Sequence, residues 1–115
     1  MSGYLRAQEI VKYNNTKTVV DGITFDSKKE AKRYGELKLL ESAGKISALK
    51  LQVVFVLSPS VVIAKRKRPA LKYVADFTYI ENGSHVIEDC KGMLTPVYRL
   101  KRHLMYAAGF SILET

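Results

Sequence analysis

The sequence has one cysteine, Cys90, so no disulfide can form within it. Cys90, His85 and His103 do not fall into a zinc-ligand spacing. No apolar run approaches the roughly 20 residues of a membrane-spanning helix. The opening Met1-Ser2-Gly3-Tyr4 has no apolar signal core, which predicts a cytoplasmic protein. Internal repeats, low-complexity linkers, helix-turn-helix patterns and zinc fingers are all missing. Acid is the scarcer charge, with 11 Asp and Glu against 19 Lys and Arg and a net charge of +8. That imbalance favours a polyanionic partner, of which nucleic acid is the commonest. What the chain does have is core material. Of its 115 residues 47% are apolar, with seven Tyr and four Phe, which fits one folded domain and argues against disorder.

Residues Ala70 to Lys91 organise the rest. Asn82-Gly83 separates two strand-like runs, and this pair suits a two-residue type I′ hairpin because both positions need φ > 0. The turn fixes a register in which Glu81 faces Ser84, Ile80 faces His85, Tyr79 faces Val86, Thr78 faces Ile87 and Phe77 faces Glu88. Continued one step, it opposes Asp76 to Asp89, with Cβ atoms about 5 Å apart. Alternation puts Lys91 on the same face and Glu88 and Cys90 on the other, Cys90 as a small packed hydrophobe.

Elsewhere the patterning is local. Residues 1–16 read as a frayed polar arm, with a short helix over Ala7–Tyr13, ahead of a single domain over 17–115. Asp21-Gly22 turns a small N-terminal hairpin between Thr16 and Phe25, whose exposed edge is a candidate dimer interface. Ser27 and Glu30 form a capping box that opens a helix running to Gly44, with Ala31, Tyr34, Leu37 and Leu40 on its apolar side. Glu30 lies on that side too, and capping alone explains it. A strand over Ile46–Leu57 is broken by Ser58-Pro59-Ser60, and Val61–Ala64 is a further short strand. Gln52 on the longer strand reads as ordinary strand packing. Lys65, Arg66, Lys67 and Arg68 read as a solvated loop placed to grip phosphates beside the Asp76 strand. Thr95 and Pro96 begin a second helix with Val97, Leu100, Leu104 and Ala108 as its buried stripe. Lys101 sits beside that stripe, and Arg99, Arg102 and His103 face outward. Gly109 ends the helix, and Phe110–Leu113 closes the sheet as a strand parallel to its neighbour.

Two opposed carboxylates destabilise a sheet unless a cation joins them. Hard oxygen donors suit Mg²⁺, with Mn²⁺ as substitute, and an adjacent lysine stabilises developing negative charge. That set beside basic segments fits phosphodiester hydrolysis better than glycoside hydrolysis, which needs no such lysine. The plain alternative is an ion cluster in which Lys91 bridges the two aspartates.

Asp76 followed by Asp89-Cys90-Lys91-Gly92 resembles the PD-(D/E)XK nuclease pattern, an aspartate on one strand and (D/E)-x-K on the next. The order α-β-β-β-α-β from Ser27 is similar to that superfamily's restriction-endonuclease-like core, a mixed α/β sheet here carrying an added N-terminal β-hairpin. Across DGITFDSKKEAKRY, YVADFTYIE, VIEDCKG and TPVYRLKRHLM the chain resembles a small phage-encoded family within it. The resemblance implies that Asp76, Asp89 and the backbone carbonyl of Cys90 ligate the metal and that Lys91 is the catalytic lysine. It implies that Glu30 matches a helix glutamate of Holliday-junction resolvases, as catalytic residue and possible ligand. Lys101 matches a basic residue that contacts phosphate. Ala75 stands where many members have proline. The expected protein is a Mg²⁺-dependent endonuclease acting on branched DNA in phage recombination or replication, a homodimer in the host cytoplasm. It needs no membrane and no small-molecule cofactor. The other readings are a non-catalytic nucleic-acid-binding protein and a nuclease subunit active only inside a larger phage assembly.

Overall fold

The computed structural model describes residues 17–115. The helix expected over Ala7–Tyr13 and the rest of the basic arm lie outside the described residues. The chain divides into two compact units, one running up to Leu39 and the other from Leu40 to Thr115.

In the first unit, β1 (Thr18–Val20) and β2 (Ile23–Phe25) pair antiparallel. Asp21 and Gly22 turn between them at φ +53° and +75°, as their identities predict. Helix α1 (Lys28–Ser42) starts where Ser27 Oγ accepts the Glu30 backbone N–H at 3.1 Å. Its buried side is Glu30, Ala31, Tyr34 and Leu37, the spacing of one helical face. The Tyr34 ring lies 5.0 Å from that of Phe25, and its hydroxyl donates to Asp21 at 3.2 Å.

The last turn of α1 opens the second unit. Gly44 at φ +76° ends the helix, and the Lys45 N–H returns to the Leu40 carbonyl at 2.9 Å. The strands that follow are β3 (Ser47–Ser58), β4 (Val61–Ile63), β5 (Arg66–Arg68), β6 (Leu71–Glu81) and β7 (Ser84–Asp89). Then come α2 (Pro96–Ala107) and β8 (Leu113–Glu114). The main sheet runs β3-β6-β7-β8, antiparallel except for the parallel β7–β8 pair. The protein is thus mixed α/β with a mixed sheet. Tyr73, Ala75, Ile87, Tyr98, Met105 and Ile112 form the core between sheet and α2, with Phe55 and Leu57 at its margin. No described helix is long and apolar enough to cross a membrane.

Four expectations are corrected. The Lys65–Arg68 run is not a loop: Arg66–Arg68 is strand β5, paired with β4 across an Ala64-Lys65 turn. The buried stripe of α2 is not Val97, Leu100, Leu104 and Ala108. Val97 and Leu100 are 63% and 60% exposed, while Tyr98 and Met105, two turns apart, are buried. The helix is rotated so that the large Tyr98 ring packs on Tyr73 and its hydroxyl finds a partner, a better use of buried area than the smaller Val97 offers. The closing strand falls at Leu113–Glu114 rather than Phe110–Leu113, because the helix-ending bonds at Gly109 and Phe110 (the latter N–H to the Met105 carbonyl, 2.9 Å) use up those residues. Gln52 is exposed at φ +53° rather than packed as a regular strand residue.

Candidate active site

The Asn82-Gly83 turn, at φ +52° and +76°, sets the hairpin, and all five pairs from Glu81–Ser84 to Phe77–Glu88 form as read. The sixth does not. The ladder stops before Asp76 and Asp89, and Asp76 Oδ2 instead accepts the Cys90 backbone N–H at 2.8 Å. Both carboxylates stay at this end of the hairpin, Asp76 on the Cys90 N–H and Asp89 on Tyr73 and Lys91. On the other side of β6 the ladder passes from Leu51–Phe77 to Val53–Ala75 with no Gln52–Asp76 pair between them and no shift of register. The β6 faces change over at this point. Strict alternation would place Ala75 and Phe77 together, yet Tyr73 and Ala75 pack with Ile87 under α2 while Phe77 lies outside that cluster.

The changeover brings Tyr73 to Asp89. The Asp89 carboxylate is 2% exposed, accepts the Tyr73 hydroxyl on Oδ2 at 2.5 Å and meets Lys91 Nζ on Oδ1 at 3.0 Å. The ammonium of Lys91 also stands 4.0 Å over the Tyr98 ring, a cation–π contact that fixes its position. Burial, then the bond to Asp89, pushes the Tyr73 phenol far above its ordinary value, and the charge of Asp76 adds to that push. Tyr73 therefore remains a donor throughout the working pH range. Asp89 thus touches both Tyr73 and Lys91, while Asp76 holds the backbone of Cys90, the residue between Asp89 and Lys91.

Glu88 is fully buried away from these groups, accepting Tyr79 at 2.7 Å and Thr115 Oγ1 at 3.0 Å. Cys90 is half-buried with its Sγ 3.4 Å from Thr115 Oγ1, a polar neighbour rather than the apolar packing expected. Glu30 is 8% exposed in the first turn of α1, in the other unit. Lys101 is half-buried on α2, and Lys65 to Arg68 are exposed on the β4–β5 hairpin. Among the described residues, no cluster of three or more His, Cys, Asp or Glu side chains is gathered for a metal ion.

A second layer was not visible in the sequence. Tyr98 donates to Glu114 Oε2 at 2.5 Å, and Arg102 bridges the same carboxylate at 2.9 Å. The Tyr98–Met105 spacing was its one available signal. The Tyr98 hydroxyl holds the Glu114 carboxyl below its ordinary value, against partial burial and with help from Arg102. A depressed carboxyl contributes stability that is fully present above its unfolded value and lost as pH falls through the folded one. The Tm of the native chain is therefore expected to fall more steeply with acid than that of Glu114→Gln. Parallel acid limbs in melts of the two proteins would refute this coupling.

The model of a family described as "Protein of unknown function (DUF1064)" matches residues 10–113. No curated protein and no solved structure matches the chain.

Proposed function

The chain belongs to the DUF1064 family, and we propose that it is a metal-dependent DNA endonuclease that hydrolyses phosphodiester bonds in branched DNA. The observation that carries this reading is the convergence of Asp76, buried Asp89 and Lys91 at one strand end, with Lys91 held by both Asp89 and Tyr98. Two carboxylates against one ammonium leave the site one negative charge in excess, and their oxygens are hard donors. Both properties fit Mg²⁺ or Mn²⁺. Asp76, Asp89 and the Cys90 carbonyl would hold the ion, which supplies Lewis acidity and a hydroxide-like water when bound. Lys91 neutralises charge growing on the phosphate, and Tyr73 keeps the Asp89 carboxylate oriented. The element order supports a restriction-endonuclease-like core, with Lys101 as a further contributor. Symmetric cutting of a junction would take two copies, hence a homodimer in the cytoplasm of a phage host.

Binding without catalysis is the second reading, and the carboxylates' own hydrogen bonds favour it: Asp76 caps the end of β7, and Asp89 satisfies Tyr73. Labelled four-way junction, duplex and single strand, incubated with Mg²⁺, Mn²⁺ or EDTA, separate the two. Metal-dependent cutting that Asp76→Ala removes is the expected result. Tight binding with no cutting under any condition would leave the binding reading.

A further inference from the structure

The β4–β5 hairpin is a basic arm with an unusual division of chemistry. Every residue of Val61–Ile63 and Arg66–Arg68 is exposed, although half of them are Val or Ile. The pairs are Val61–Arg68, Val62–Lys67 and Ile63–Arg66. Paired residues share a face, so each face carries an apolar half and a cationic half. Neither can be laid on a protein core without burying cations, and neither is a plain solvated face. The two long edges differ instead: β4 is all apolar and β5 all basic. The turn between them holds Ala64 and Lys65 at φ +52° and +64°, a left-handed conformation that non-glycine residues resist. Positive φ at both positions is nonetheless the geometry that closes a tight two-residue hairpin.

Resting on the DNA reading above, we propose that this hairpin enters the opened groove at a branch point, with Arg66, Lys67 and Arg68 on the phosphates and Val61, Val62 and Ile63 against the unstacked bases. Charge complementarity selects the occupant: three cations in register, extended by Lys65 at the turn, meet a polyanion. The apolar edge needs bases that intact duplex keeps stacked. The dimensions agree, since a two-stranded ribbon fits a groove about 12 Å wide, and three residues span about 10 Å of it. Apolar side chains placed between base steps are an established way to hold distorted DNA. The arm thus assigns the preference for branched over linear DNA to Val62 and Ile63, and general affinity to β5.

The test measures binding of the full chain to a four-way junction and to duplex of the same sequence, in EDTA, with 2-aminopurine at the branch. Val62→Ser/Ile63→Ser is expected to reduce junction affinity about tenfold, leave duplex affinity unchanged and abolish the 2-aminopurine signal. Arg66→Ala/Arg68→Ala is expected to weaken both complexes and lower the salt slope by about two. Because all these side chains are exposed, circular dichroism should show native folds. Unchanged discrimination and signal in the serine variant overturn the proposal. So does a shift from dimer to monomer in that variant by sedimentation with DNA binding unaltered, which would make the arm a protein interface. A chain that binds neither DNA overturns the arm and the nucleic-acid reading together. A chain that binds but never cuts overturns only the enzyme, and the arm is still judged by the same comparison.

Discussion

Asp89→Asn is expected to lower metal-dependent cleavage by about a thousandfold or more, the scale of several kcal/mol of lost charge stabilisation at the metal. Junction binding in EDTA should hardly change. The Asp89 carboxylate is buried, with Tyr73 on one oxygen and Lys91 on the other. The asparagine fills the same volume, and its amide oxygen can still accept from Tyr73. What is lost is the negative charge that balances Lys91 and would bind a cation. The neighbouring Glu88 provides the control. It is also a fully buried carboxylic side chain, and it is held by Tyr79 and Thr115. Glu88→Gln should therefore lower stability by about 1–3 kcal/mol through a compromised buried hydrogen bond and leave the cleavage rate intact. Cleavage assays with urea melts of the two variants decide the matter. If Glu88→Gln removes cutting and Asp89→Asn keeps it, the ligand assignment is reversed. If Asp89→Asn loses binding and fold together, the aspartate is structural.

The hairpin was legible in the sequence because its determinants are local. Asn82-Gly83 specifies its own turn, and the turn specifies five pairs. Thr95 and Pro96 specify the start of α2 equally locally, with Thr95 Oγ1 accepting the Tyr98 N–H at 3.1 Å. The site became illegible at Asp76, where alternation breaks. Period-2 reasoning carried the ladder one pair too far, to a position where Asp76 instead accepts the Cys90 N–H. The same break delivers Tyr73 to Asp89, sixteen residues on, and nothing in a local window predicts that bond. For α2 the apolar count misled. Val97 and Leu100 look like core residues, but a tyrosine that can satisfy its hydroxyl on Glu114 displaces them. Strand β5 was hidden because Ala64-Lys65 carries none of the usual turn residues, and four consecutive cations read as solvated chain.

Lys91→Met should lower kcat by about 10²- to 10³-fold, the scale of one lost electrostatic contact to a developing oxyanion, with KM for the junction little altered. The methionine keeps an unbranched stem against Tyr98 and removes only the charge. In the folded protein Lys91 is pinned from two sides, 3.0 Å from Asp89 and 4.0 Å over the Tyr98 ring, with its side chain about a quarter exposed (26%). A lysine recruited only to bind DNA gains nothing from being held against a buried carboxylate, since phosphate contacts are made well by exposed side chains such as those of β5. Placement against Asp89 makes sense if the ammonium is aimed where charge develops during the reaction. Lys91→Arg sharpens the test, because it preserves charge and the ring contact but moves the donor. It should leave binding intact and recover the rate only in part. Single-turnover kinetics with saturating protein would read the chemical step directly. A raised KM with kcat preserved in Lys91→Met would make Lys91 a phosphate-binding residue, and the assignment of the pair Asp89–Lys91 to catalysis would then have to be withdrawn.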